Sequence, residues 1–202
     1  MKENLIITIS RQYGSGGREI GQKLAQRLDI PYYDKELITL AAERSGYSPT
    51  LFEEADQKAG NSMIFSLMRA GSMANNYELP LNDKIYLIQS GVIQQVAKKG
   101  SCVIVGRCAD YVLQDKFPCI NVFIHAQLRR RIDRGVKVYG LSPDTAQSVL
   151  LRTDKRREAY YNYYTGRKYG DARGYTLCLD SLGVGIENAV RILADYVEHW
   201  EG

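Results

Sequence analysis

Leu5-Ile6-Ile7-Thr8-Ile9-Ser10-Arg11-Gln12-Tyr13-Gly14-Ser15-Gly16-Gly17-Arg18-Glu19-Ile20 joins an apolar run to a glycine cluster and then to helical spacing, with Ile20, Leu24 and Leu28 on one face. An apolar run of this length suits a strand buried on both faces. Glycines let the backbone curl through positive φ, so that successive N–H groups converge on an anion. The first turn of the following helix adds unpaired N–H groups and the positive end of its dipole. A strand, a glycine turn and a helix in this order form a candidate polyphosphate cradle. The alternative is a glycine-rich turn that binds nothing.

The standard phosphate loop reads Gly, four residues, Gly, Lys, then Ser or Thr. Aligned on Gly16, this chain has Arg11 at the first glycine, Gly17 at the lysine and Arg18 at the hydroxyl position. The glycines do not follow Gly-x-Gly-x-x-Gly, which disfavours a dinucleotide fingerprint. Tyr13 breaks a Gly-x-Ser-x-Gly nucleophile elbow around Ser15.

Four further runs read as strands: Pro31–Tyr33, Cys102–Val105, Ile120–Ile124 and Tyr175–Leu179. Helical material between them predicts a parallel sheet with right-handed crossovers. Ligands of such sheets bind at the carboxyl ends of the strands. Gly14, Asp34, Arg107 and His125 all fall there. Two helical inserts interrupt the pattern. In the first, residues 45–100, Ser48-Pro49 starts a helix, a second covers Ser62–Met73, and Asn82 or Asp83 caps a third that reaches Lys99. In the second, residues 126–174, one helix ends near Tyr139 with Gly140 as terminator, and Ser142-Pro143-Asp144 starts the next. Arg130 and Arg134 share a helix face, as do Arg152 and Arg156.

At 202 residues the chain is long enough for one substantial core. It has no apolar run long enough to cross a bilayer and no signal-like amino-terminal segment, so a cytoplasmic location is expected. Four cysteines without C-x-x-C spacing and two histidines disfavour a zinc site. The net charge of +4 is unevenly placed: residues 126–175 hold twelve Lys or Arg against five Asp or Glu. That segment is either a solvated face or a surface that closes over a polyanion.

The stretch Ile7 to Ile20 resembles the cytidylate kinase-like family, a branch of the nucleoside monophosphate kinases in the P-loop superfamily. Leu28–Asp34 is similar to that family's second strand with its terminal Asp, and Val103–Arg107 to its third strand ending in Gly-Arg. Arg152–Arg157, with Asp154 between, is similar to its arginine-rich lid helix. The resemblance implies a three-layer α/β/α P-loop fold whose five-stranded parallel sheet has the order 2-3-1-4-5. It implies a core of residues 1–44, 101–125 and 175–202, an acceptor-side insert over 45–100 and a lid over 126–174.

It also implies ATP with Mg2+ and a nucleotide acceptor. Arg11, Gly14, Ser15, Gly16, Gly17, Arg18 and Glu19 would hold the donor, with Arg18, then Arg11, as stand-ins for the absent lysine. Glu19 is otherwise a favourable acid in a first helical turn. Ser15 and Asp34 would serve the metal, although Asp34 suits a helix cap equally well. Arg107 would grip the acceptor, oriented by Asp110, and Asp34 would line that side. Arg130, Arg134, Arg152, Arg156 and Arg157 would close on the transferring group, with Asp154 positioning one of them.

Two other functions fit the residues: a nucleotide-binding sensor without efficient transfer, favoured by the missing lysine, and an RNA-associated protein. The second would use Tyr160-Tyr161-Asn162-Tyr163-Tyr164-Thr165-Gly166-Arg167-Lys168-Tyr169, where rings interleave with cations. Paired tyrosines on a helix otherwise bury against a neighbouring element or a partner subunit, which leaves a homodimer open and nucleic acid the lesser expectation.

Overall fold

A computed structural model describes residues 4–55 and 79–201 of the chain. The helix expected over Ser62–Met73 lies outside the described residues. Strand β1 (Ile6–Arg11) forms the centre of a five-stranded sheet of order β2-β3-β1-β4-β5, as the resemblance implied. Its neighbours are β3 (Cys102–Val105) and β4 (Cys119–His125), with β2 (Tyr32–Tyr33) and β5 (Leu177–Asp180) at the edges, all parallel.

Period-2 alternation sends successive side chains to opposite faces, and both faces are covered. Leu5, Ile7, Ile9, Val103 and Val105 pack beneath α1 (Gly17–Leu28) and the carboxyl-terminal helix, through Ile20, Leu24, Val190 and Leu193. Ile6, Cys102 and Ile104 face Leu37 of α2 (Glu36–Ser45), Phe52 of α3 (Pro49–Ala55), Ile85 and Ile93 of α4 (Leu81–Ala97), and Leu113 of α5 (Ala109–Leu113). The arginine-bearing pair follows β4 as α6 (Leu128–Tyr139) and α7 (Pro143–Thr165). Gly140 and Gly166 end these helices in the left-handed conformation. After β5 come α8 (Ser181–Val184) and α9 (Ile186–Glu198). No helix among the described residues is long and apolar enough to cross a membrane.

The structure moves three boundaries. β1 outruns the apolar stretch because Ser10 and Arg11 stay in register with Phe123 and Ile124, which carries Arg11 to the sheet's carboxyl edge. β5 begins at Leu177 and ends at Asp180, opposite His125. In α4, Pro80 precedes the first turn and neither Asn82 nor Asp83 caps it. Asp83 is buried and accepts a hydrogen bond from the Tyr164 hydroxyl at 3.1 Å.

The tyrosine run belongs to the core. Tyr160, Tyr161 and Tyr164 are buried, and Tyr164 stacks on Tyr86 with centroids 4.0 Å apart. Their hydroxyls serve Gln89, Asp110 and Asp83. Rings committed to their own fold are not offered as a stacking platform for bases, nor do they need a second subunit to cover them.

Candidate active site: an arginine junction at the glycine loop

The loop leaves β1 with the Gln12 N–H bonded to the Ile124 carbonyl at 3.0 Å, while Gln12 Oε1 accepts from the Ala126 N–H at 3.2 Å. Gly14 and Gly16 hold φ of 80° and 81°, and Gly16 stands at the start of α1. A Cβ at Gly14 would lie 2.8 Å from the Arg131 carbonyl oxygen, and one at Gly17 2.7 Å from the Arg11 Cβ. The glycines therefore supply both the curl and the close approach. The amides of Gly17, Arg18 and Glu19 are first-turn donors without an intrahelical acceptor. Ser15 is fully buried, its hydroxyl donating to the Gln12 carbonyl at 2.9 Å, so it turns no oxygen towards a metal in solvent.

The arginines separate into groups. Arg18 Nε pairs with Asp34 Oδ2 at 2.6 Å. Partial burial opposes the Arg18 charge, but Asp34 and Tyr32 together outweigh it, raising the pKa. Asp34 accordingly binds an arginine rather than capping α2, whose N-cap position is Lys35. Arg11 extends from its place beside Gly17 to Gly106, where a Cβ would lie 2.3 Å from its Nη1. The Tyr169 hydroxyl donates to the Arg11 carbonyl at 2.9 Å and accepts from its N–H at 3.1 Å. Arg157 Nη1 donates to the same carbonyl at 3.1 Å. Burial, and then the neighbouring Arg11 charge, push the Arg157 guanidinium down to about 10.

Gly106, Arg107 and Cys108 end β3 with φ of 78°, 57° and 55°. Consecutive left-handed residues, two of them not glycine, are strained. Such strain persists where the surroundings enforce it, and it clusters at ligand sites. It turns the chain so that Arg107 borders the loop.

Two cavities meet here. One, of about 480 Å³, lies over the loop and is walled by Gly14, Gly16, Gly17, Arg18, Asp34 and Tyr139. The other, of about 360 Å³, is walled by Ser10, Cys108, Thr153, Arg156, Tyr160 and Tyr161. Arg11, Arg107 and Arg157 line both.

The remaining expected residues lie outside this junction. Arg134 and Lys23 pair with Glu19, so Glu19 tethers α6 to α1. Arg130 donates to the Leu182 carbonyl, and Arg152 is exposed on α7 and borders neither cavity. Asp110 is buried beneath the site with its Oδ2 accepting from the Tyr161 hydroxyl at 2.6 Å, and it does not orient Arg107. Asp154 pairs with Arg131 at 2.5 Å, an arginine outside the set that the resemblance assigned to it. Sequence reasoning passed over Arg131 in the run Arg129–Arg131. The available signal was Gly135, one turn on, whose missing side chain marks the face of α6 that packs inward against Leu141 and Leu150.

Among the described residues no group of three or more His, Cys, Asp or Glu could hold a metal ion, and Asp34 is engaged by Arg18. The described residues thus offer magnesium no side-chain cage. A polyphosphate fits better: converging loop amides, glycines that no Cβ could replace, and guanidiniums at the cavity wall.

The comparisons agree with this geometry. A cytidylate kinase of Pyrobaculum islandicum is 26% identical over 196 residues, covering 96% of this chain and 92% of its own. The structure of an uncharacterized protein from Eubacterium ventriosum superposes with a TM-score of 0.70 at 28% identity, covering 97% of this chain and 99% of the other. Shikimate kinase from Bacteroides thetaiotaomicron gives 0.57 at 17% identity, over 98% and 99%. The fold is that of the P-loop kinases. Residues 6–182 match the model of the cytidylate kinase-like family, and the chain belongs to that family.

Proposed function

We propose that the protein transfers the γ-phosphoryl group of ATP to a small acceptor, a nucleoside monophosphate such as cytidylate. The observation that carries this reading is the sharing of Arg11, Arg107 and Arg157 between the two cavities. Phosphoryl transfer asks a protein for in-line positioning and for positive charge dispersed around the moving group. A donor in the larger cavity and an acceptor in the smaller one would meet at those guanidiniums.

The loop amides from Gly14 to Arg18 hold the donor phosphates. Arg11 takes the place of the usual lysine: it lies at the junction, whereas Arg18 is committed to Asp34. A guanidinium is planar and long, and reaching from the strand end to Gly106 gives it room that Gly17, at the lysine position, lacks. Arg107 and Arg156 bind the acceptor's phosphate, and Arg157 spans both ligands. Residues 126–174 act as a lid and 45–100 as the acceptor-side insert. With ATP bound, magnesium would neutralise phosphate charge while keeping mostly phosphate and water ligands.

The test is transfer of label from γ-labelled ATP to a panel of nucleoside monophosphates. Labelled diphosphate from at least one of them is expected. ATP binding with no acceptor labelled would overturn transfer and favour the nucleotide-sensing reading, for which the engaged Asp34 speaks.

A further inference from the structure

We propose that the Arg131–Asp154 ion pair is a positioning device: it holds both backbone polar groups of Tyr13, and through them sets the shape of the glycine loop from helices α6 and α7. Arg131 is buried, and a buried guanidinium is costly unless its N–H groups find acceptors. Its acceptors are Asp154 Oδ2 at 2.5 Å, the Tyr13 carbonyl at 3.1 Å and, from Nε, the Ala126 carbonyl at 3.1 Å. Asp154 Oδ1 in turn accepts the Tyr13 N–H at 2.6 Å. The N–H and the C=O of one loop residue thus both end on a single ion pair.

Tyr13 precedes Gly14, where the left-handed turn begins, and Gly14 packs on the backbone of Arg131. A second tie runs through the ring of Tyr13, which lies between Tyr139, 5.5 Å away, and the Arg157 guanidinium at 5.5 Å. Neither Arg131 nor Asp154 borders either cavity, so neither meets a ligand there. Exposed ion pairs between helices contribute little. This one is sheltered, and two of the three acceptors of Arg131 are the chain segments that leave β1 and β4. The consequence is linkage: docking of α6 and α7 orders the loop, and a ligand in the loop must favour docking by the same factor. The inference rests on the proposed placement of donor phosphates in the loop.

The test compares the wild-type protein with Asp154→Ala, and with Asp154→Asn and Arg131→Lys in case the alanine variant does not fold. Amide exchange of Tyr13 is read by NMR, and affinity for a nonhydrolysable ATP analogue by calorimetry. Losing a charge-assisted hydrogen bond should speed Tyr13 exchange and weaken analogue binding by about tenfold or more each, while core amides such as Leu24 keep their rates. Unchanged Tyr13 exchange in a folded variant would overturn the inference. So would acceleration of Tyr13 and Leu24 by the same factor, the signature of a merely structural pair. If the wild-type protein binds no analogue, the phosphoryl-transfer reading fails, and the Tyr13 exchange rate still decides whether the pair holds the loop.

Discussion

Arg18 and Arg11 show how local a residue's assignment is. Both are arginines beside the glycine loop, and spacing alone favours Arg18. Asp34, distant in sequence, captures Arg18, and Gly106 opens a lane for Arg11. Arg18→Ala should therefore lower kcat by less than about tenfold, since the half-exposed Arg18 is committed to the buried Asp34 rather than to the junction; steady-state assays with saturating ATP would check this. Gly106→Ala should be far more harmful to activity than to folding. The added Cβ displaces the end of the Arg11 side chain, a flexible group, while the φ of 78° costs about 1–2 kcal/mol. A variant with a modest loss in urea midpoint and a 100-fold loss in kcat is expected; equal losses in both would contradict the role given to Arg11. At this scale the sequence marks the candidates, because Arg11, Arg107 and Arg157 sit at recognisable strand ends and helix spacings. It does not rank them, because ranking depends on which carboxylate each guanidinium meets in the folded chain.

The elements were more legible. All five strands were visible as apolar runs, because a sheet covered on both faces admits little else at those positions. The ends of β3 were visible too, but those of β1 and β5 were not, because Ser10, Arg11 and Asp180 stay in the sheet through pairing with neighbours rather than through their own polarity. Helix α7 is the case where composition misleads. Its tyrosines and arginines suggest a nucleic-acid surface, but the rings turn inward onto buried acids. Tyr161→Phe should cost about 1–3 kcal/mol, since it leaves Asp110 buried without that donor. Chemical denaturation would measure the cost.

Asp110 also predicts a pH dependence. Burial raises its pKa above the ordinary aspartate value of 3.8, with the Tyr161 hydrogen bond opposing. An acid whose folded pKa is raised contributes stability that is full below its unfolded value and is lost as pH rises through the folded one. The Asp110 contribution should fall on going from acid to neutral pH, opposite in sign to that of Glu19 and Asp171, whose pKa values are lowered, and Asp110→Asn should remove it. Parallel pH profiles of the two urea midpoints would count against this account.

At the scale of the whole molecule, the basic segment over residues 126–175 is divided. Part of it faces solvent, as Arg130 and Arg152 do, and part packs into the junction. The junction crowds like charges: Arg11 helps to push Arg157 down to about 10. A bound polyanion relieves that crowding. ATP at a hundred times its Kd should add about 2.7 kcal/mol and raise Tm by about 5–10 °C, read in a thermal-shift assay. An unchanged Tm would mean that the arginines are at rest without a ligand.

The central claim is that phosphoryl transfer occurs where the two cavities meet, with Arg11 supplying the charge. The most direct measurement is the single-turnover rate from saturating ATP to cytidylate, on the wild type and on Arg11→Ala side by side. Transfer by the wild type and a fall of about 100-fold or more in the variant, with ATP affinity changed little, is the predicted result. Equal rates in the two proteins would contradict it.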